Sequence, residues 1–170
     1  MKIFITYLLL SSVFICNAQK ENDIKTKLDS DKKSKNYEKY NPASSFQDYA
    51  VEIYKGKLAS PDFSTNPDSK RFRTRIINAC NEGINFAGHF TLVIWGCGTA
   101  CQNSVIIDRK TGHIYDGFIT SRGAEFRKDS KMIIMNIGAL DKETNLIELC
   151  ASCGELSHEI WTGKEFEKNK

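Results

Sequence analysis

The hydrophobic pattern changes at Phe46, where short apolar runs separated by turn-forming residues replace a polar, charged stretch. Such runs are typical of antiparallel strands. The segment "DYAVEI", residues 48–53, alternates apolar and polar positions and predicts a first strand with one buried face. The segment "HFTLVIW", residues 89–95, is apolar on both faces and predicts a central strand covered on both sides. We therefore expect residues 46–170 to form a single, mainly β (α+β) domain, an antiparallel hairpin-rich sheet or a small sandwich or barrel-like domain.

Turn chemistry places three hairpins in the second half of the chain. In "SVIIDRKTGHIYDG", Asp108 can accept hydrogen bonds from turn amides and Gly112 can take a positive φ angle. The pair Asp129 and Ser130 separates two further apolar runs, and "TG" at 162–163 reverses the chain near its end. One short helix is predicted in "SKRFRTRIINACNEG", residues 69–83, because apolar side chains recur there at helical spacing and a glycine follows.

The N-terminus predicts export. Residues 1–18 consist of one lysine, an apolar stretch and a small residue, as expected of a signal peptide cleaved after Ala18. The protein is then secreted or periplasmic. In the alternative, Cys16 is acylated and anchors a lipoprotein. Residues 19–45 are charged and poor in apolar residues, which predicts a disordered leader.

The overall charge and the absence of common motifs exclude several classes of partner and reaction from the prediction. The chain holds 24 Lys and Arg residues against 21 Asp and Glu residues, for a net charge of +3. This near balance gives no reason to expect nucleic acid or an anionic membrane as partner. No later apolar segment reaches the length of about 20 residues that a membrane-spanning helix needs. Phosphate-binding loops, nucleophile elbows and paired metal-binding histidines are absent from the sequence, so no cofactor is predicted.

The chain resembles a known family in four sequence blocks, which occur in the order "FRTRI", "NFAGHF", "WGCGTAC" and "IIDRKTGHIY". Over roughly residues 46–166 the chain resembles a family of small secreted bacterial proteins of unknown function. The resemblance implies secretion and this kind of fold. It implies no activity, because none is attached to the family.

The cysteines are the first candidates for chemistry. Four residue steps in an extended strand span about 13 Å, so a disulfide between Cys97 and Cys101 requires a turn, which the flanking glycines permit. Cys150 and Cys153 can form a second short loop, and Cys80 would remain a buried thiol. Two alternatives stay open. The four paired cysteines, with His89, could bind zinc, or the CxxC segment could be a thiol-disulfide centre.

The remaining candidates suggest two classes of function. His89 could act as a base oriented by Asp108, but no nucleophile accompanies the pair. The candidates for ligand binding are Arg73, Arg75, Asn85 and Trp95. We expect a binding or inhibitory module stapled by disulfides, acting on an unknown protein or small-molecule ligand. The alternative is a cell-envelope enzyme, a hydrolase or thiol-disulfide protein, centred on His89 or on the Cys150 and Cys153 pair.

Overall fold

The structure is a computed structural model and describes residues 36–150 and 152–169. Residue contacts divide the chain into residues 1–37 and 38–170, and the fold described below is that of the second unit. The predicted signal peptide, Cys16, and residues 19–35 of the predicted leader lie outside the described residues. Among the described residues, no helix has both the length and the apolar character needed to cross a membrane.

The prediction of a mainly β fold with one short helix is confirmed. The described residues form ten strands in three antiparallel sheets, with orders β1-β8-β7, β2-β3-β4 and β10-β9-β6-β5. The strands are β1 (Asn36–Lys39), β2 (Phe90–Gly98), β3 (Cys101–Asp108), β4 (Ile114–Thr120), β5 (Ala124–Phe126), β6 (Met132–Met135), β7 (Leu140–Asp141), β8 (Leu146–Leu149), β9 (Ser157–Trp161) and β10 (Phe166–Lys168). The helix α1 (Arg73–Glu82) continues from a 3-10 turn, Pro67–Phe72, and the other 3-10 turns are Phe46–Tyr49 and Ile137–Ala139.

The sheet β2-β3-β4 lies between α1 and the four-stranded sheet, because its strands bury side chains on both faces. On one face, Val93 packs with Ile76 and other residues of α1. On the opposite face, Leu92 packs with Ile133 and Trp161 of the four-stranded sheet. Neighbouring residues of a strand point to opposite faces, so β2 serves both cores. This double burial explains why "HFTLVIW" has no polar alternation.

Two sequence predictions about strands are wrong. β2 is covered on both faces, as predicted, but it is an edge strand, and β3 is the central strand of its sheet. The predicted first strand does not form either. Residues Phe46–Tyr49 make a 3-10 turn, in which the Asp48 carboxylate accepts hydrogen bonds from the Ser45 amide and hydroxyl. The segment after it pairs with the turn before β6 only through isolated bonds such as Val51 N–H to Asp129 C=O.

Contacts with the domain are also made before Phe46. Residues 38–45, assigned to the leader from sequence, fall in the same contact unit as the domain. The Tyr40 amide donates to the Asn145 carbonyl, and the Tyr40 hydroxyl lies 2.7 Å from Nε2 of His158. These contacts are made by polar groups, so the low apolar content of the segment gave no indication of them. Disorder of residues 19–35 stays a prediction.

The predicted turns are present. The Asp108 carboxylate accepts hydrogen bonds from the Lys110 amide and the Thr111 hydroxyl, and Gly112 has φ +90° in the β3–β4 hairpin. The pair Asp129 and Ser130 lies between β5 and β6, and residues 162–163 lie between β9 and β10. Gly83 has φ +101° at the end of α1, where a side chain would strain the backbone.

Candidate functional site

The disulfide between Cys97 and Cys101 closes the corner between β2 and β3, with Cα atoms 5.1 Å apart. Cys150 and Cys153 form the second disulfide, at 5.3 Å. Cys80 is a buried free thiol, and burial raises its pKa, while the nearby Arg109 cation and the Thr91 side chain lower it. The protein is therefore a β module stapled by two short loops. The zinc alternative needs four thiolates together, whereas the structure joins these cysteines in two separate bonds.

The second disulfide lies in a turn after β8 and not at a helix N-terminus. The Cys153 carbonyl accepts a hydrogen bond from the Ser121 hydroxyl, and the Asn136 side chain bonds to the Ser121 amide and the Glu155 carbonyl close by. A redox thiolate is usually stabilised by a helix N-terminus or a nearby cation. The turn after β8 supplies no helix N-terminus, so its geometry favours a structural role.

His89 and Asp108 are brought together, but they are not hydrogen bonded to each other. Nε2 of His89 lies 3.8 Å from the Asp108 carboxylate, which is too long for a hydrogen bond. Both carboxylate oxygens of Asp108 already accept bonds within the hairpin. Within the described residues, no hydroxyl or thiol hydrogen bonds to the His89 ring, which instead packs on Phe90 at 4.1 Å. The arrangement orients neither an attacking group nor its base.

The surroundings of His89 and His158 favour the neutral form of the imidazole ring. Burial lowers the pKa of His89, and the cations of Lys110 and Lys131 lower it further against the opposing effect of Asp108. Burial alone lowers the pKa of His158. Neutral His158 can accept the hydrogen bond from Tyr40 through Nε2. Protonation of either ring therefore works against the folded state.

This predicts an acid-sensitive stability. The unfolded chain binds protons at its histidines near pH 6.5, whereas folded His89 and His158 bind them only at lower pH. The free energy of unfolding should therefore fall as pH drops from about 7.5 to about 5.5. Urea denaturation at several pH values measures this. The double variant His89→Gln, His158→Gln should show a flatter profile, and an unchanged profile in that variant would contradict the assignment.

A groove of about 750 Å³ runs between α1 and the free edge of β2. It contains three of the four residues that the sequence suggested for ligand binding. Its lining residues are Lys70, Arg71, Phe72, Arg73, Thr74, Arg75, Asn78, Ala79, Glu82, Asn85, Leu92, Val93 and Ile94. The site is therefore built by the helix on one side and by a strand edge on the other.

The wall on the helix side is basic. Four cations, Lys70, Arg71, Arg73 and Arg75, line the groove together with a single carboxylate, that of Glu82. Arg73 lies over the Phe63 ring at 4.5 Å, and Arg71 lies 3.6 Å from the exposed carboxylate of Asp68. An exposed pair of that kind is weak and can exchange partners. The groove thus presents an excess of positive charge to an incoming ligand.

Asn85 has a structural role that the sequence did not suggest. Its side-chain amide donates to the Leu92 carbonyl at 2.9 Å and its side-chain oxygen accepts from the Leu92 amide at 2.7 Å. The side chain thereby imitates one residue of a neighbouring strand. The backbone N–H and C=O of Phe86 pair in the same way with the backbone of Phe90. These two residues cover the first half of the β2 edge.

Trp95 lies in the core beside the groove and not in its lining. Its ring is 6% exposed and stacks on Phe72 with centroids 4.2 Å apart. Phe72 in turn lines the groove. Trp95 therefore supports the groove wall from behind.

Arg109 is a residue whose importance the sequence reasoning missed. It is 5% exposed. Its Nη1 donates to the Cys80 carbonyl at 2.6 Å and to the Thr91 hydroxyl at 3.1 Å, and its Nε donates to the Ala59 carbonyl at 3.1 Å. The cation thus joins the C-terminal end of α1, where positive charge is favourable, to β2. A charged residue in a turn is normally predicted to be exposed to solvent, so nothing in the sequence indicates that Arg109 is buried.

A second groove, of about 560 Å³, lies between β4 and the β9–β10 hairpin and was also missed. Its side chains are mixed in charge, with Asp116, Glu159 and Glu165 beside Lys164. Asp116 already accepts a hydrogen bond from Asn66 at 2.8 Å.

Comparison with known proteins does not assign the chain to a family. No family model, curated protein or solved structure matches the chain.

Proposed function

We propose that this protein is a secreted binding module that takes an acidic ligand into the groove between α1 and β2. The observation that carries the proposal is the lining of this groove. Arg73, Arg75 and Asn85, separated by up to twelve positions in the sequence, border one groove in which four cations face one carboxylate. Convergence of several cations on a concave surface is the usual way in which proteins attract anionic partners.

The free side chains of the groove support binding. Arg75 is exposed, as is Lys70, and neither makes an ion pair within the described residues. A ligand carboxylate can therefore bind them without displacing an internal partner. Arg side chains also offer two parallel N–H donors to a carboxylate. By contrast, His89 and the Cys150–Cys153 bond, on which the enzyme alternative depends, do not line this groove.

The proposal includes the compartment. The signal-like residues 1–18 and the resemblance to small secreted bacterial proteins support export, with acylation at Cys16 as the anchored alternative. Two disulfides support the same location, because such bonds persist in oxidising compartments such as the periplasm. Inhibition of a target is one form that binding at this groove can take.

Titration of isotope-labelled protein at low salt tests the function. The probes are a hexaglutamate peptide and dextran sulfate, a polyanion without a peptide backbone. We expect either or both to shift the amide resonances of α1 and of Leu92 to Ile94. Because exposed charge pairs are screened by salt, binding should weaken when the ionic strength rises from about 0.05 M to about 0.2 M.

Matched charge reversals identify the site. Arg75→Glu should weaken binding at least about tenfold, or about 1.4 kcal/mol, because it replaces attraction with repulsion. Lys57→Glu makes the same change of charge at an exposed lysine outside the groove and should have less than about a twofold effect. If neither probe shifts groove resonances, or both variants act alike, the proposed function is wrong.

A further inference from the structure

We propose that the ligand of the groove is an extended polypeptide, which pairs with the edge of β2 at Ile94 as an added strand and directs acidic side chains at α1. This inference rests on the proposed function and names the class of ligand. It goes beyond charge attraction, because it assigns a role to backbone groups that a simple anion does not need.

The backbone groups of β2 point alternately toward β3 and away from it. Arg109 N–H donates to the His89 carbonyl on the side of β3. Backbone groups of a strand alternate in direction, so Thr91 and Val93 also bond to β3, whereas Leu92 points away. The bonds between Leu92 and Asn85 confirm that direction. Two residues further along, the N–H and C=O of Ile94 must point the same way, into the groove.

Other groups of the chain cover only part of the outer edge of β2. Phe90 is paired with the backbone of Phe86, and Leu92 is paired with the side chain of Asn85. Within residues 36–150 and 152–169, no group hydrogen bonds to the outward N–H or C=O of Ile94. Native edges are usually blocked against pairing, and here the block ends at Leu92, within the groove, and does not reach Ile94. Ile94 is thus an open pairing site inside a concave, basic surface.

The surroundings of Ile94 on the two faces of the sheet determine which ligand sequence fits. Side chains of an added strand alternate between the two faces of the sheet. One set would face α1 and the 3-10 turn before it, where Arg75 and Arg71 line the groove, and the other set would lie on the face of the Ile94 side chain. The matching sequence has acidic residues at alternate positions and apolar residues between them. Strand addition is an established way to recognise peptides, with backbone bonds giving affinity and alternate side chains giving specificity.

The probe is an acetylated and amidated peptide of three Glu-Val repeats. On binding, the Ile94 amide should exchange its hydrogen at least about tenfold more slowly, because it gains an acceptor. The Val93 amide is the internal control, since it already bonds to β3 and should change much less. Equal effects on both amides, or no slowing at Ile94, would overturn the inference.

Backbone methylation of the peptide separates strand pairing from charge. Two versions are made, one N-methylated at the three Glu residues and one at the three Val residues. Both lose the same number of amide donors and keep the same charge. Only one set of amides faces β2 in a paired strand, so one version should lose at least about tenfold in affinity more than the other. Equal loss, or none, contradicts strand pairing.

A protein variant gives the complementary test. Ile94→Pro removes the outward N–H, and proline is tolerated on an edge strand where that group does not serve the ladder. It should weaken binding of the Glu-Val peptide at least about tenfold, while Ile94→Val, which keeps the amide, should have little effect. If Ile94→Pro does not fold, the methylated peptides decide. Binding of dextran sulfate that persists while these tests fail would retain the proposed function and reject the polypeptide.

Discussion

Replacing Trp95 with alanine should lower the free energy of unfolding by about 3–5 kcal/mol. The ring is almost fully buried, stacks on Phe72 and packs in the core formed by α1 and the sheet β2-β3-β4. Alanine would leave a cavity that the flanking helix and the disulfide corner cannot fill by moving. The loss should therefore exceed the transfer free energy of the ring alone.

Urea denaturation followed by the fluorescence of Trp161 measures this loss. Trp161 remains in the variant and is 1% exposed in the other core, so its emission reports global unfolding. Trp95→Phe is the control, because it keeps an aromatic ring against Phe72 and should lose less stability. A Trp95→Ala protein with unchanged stability but no hexaglutamate binding would instead place Trp95 in the ligand site.

Replacing Arg109 with methionine should cost about 2–4 kcal/mol, although methionine has a similar length. The change removes donors from the buried carbonyl of Cys80, from the partly buried carbonyl of Ala59 and from the Thr91 hydroxyl. A buried acceptor that loses its donor costs about 1–3 kcal/mol, and the Cys80 carbonyl keeps a second bond from Gly83. We therefore expect a total loss of stability smaller than three times the cost of one unpaired buried acceptor.

The measurement is again the free energy of unfolding in urea. Arg109→Lys keeps the charge but has a single nitrogen in place of the guanidinium fork, so it should fall between the wild type and Arg109→Met. Lys110→Met, a change at the exposed neighbour, should cost less than about 0.5 kcal/mol. Equal losses at Arg109 and Lys110 would show that the buried hydrogen bonds contribute little.

Local chemistry explains which parts of the fold the sequence predicts. The turn at Asp108 and Gly112 depends on a side chain that bonds within three residues and on a glycine with positive φ, and both are visible in sequence. The same holds for the corner between Cys97 and Cys101, where glycines surround a short loop. The helix follows from apolar spacing and from Gly83 at its end.

Strand order was not predictable in the same way. The apolar pattern of β2 shows that both faces are buried, but burial of faces says nothing about pairing of edges. β2 is an edge strand because the side chain of Asn85 and the backbone of Phe86, and not a further strand, bond to the first half of its outer edge. Asn85 was suggested as a ligand-binding residue that would accompany His89 and Asp108. Its partner, Leu92, is seven residues away, and only the folded chain shows their two hydrogen bonds.

The corner at Cys97 limits how long a complex at the β2 edge can last. Between the block at Leu92 and the corner, only Ile94 and Gly96 direct their backbone groups outward, which allows about four hydrogen bonds. At about 0.5–1.5 kcal/mol each, they contribute about 2–6 kcal/mol, before the entropy cost of association. Partners would therefore dissociate rapidly, and sustained occupancy would require a high local concentration or several linked copies of the acidic segment.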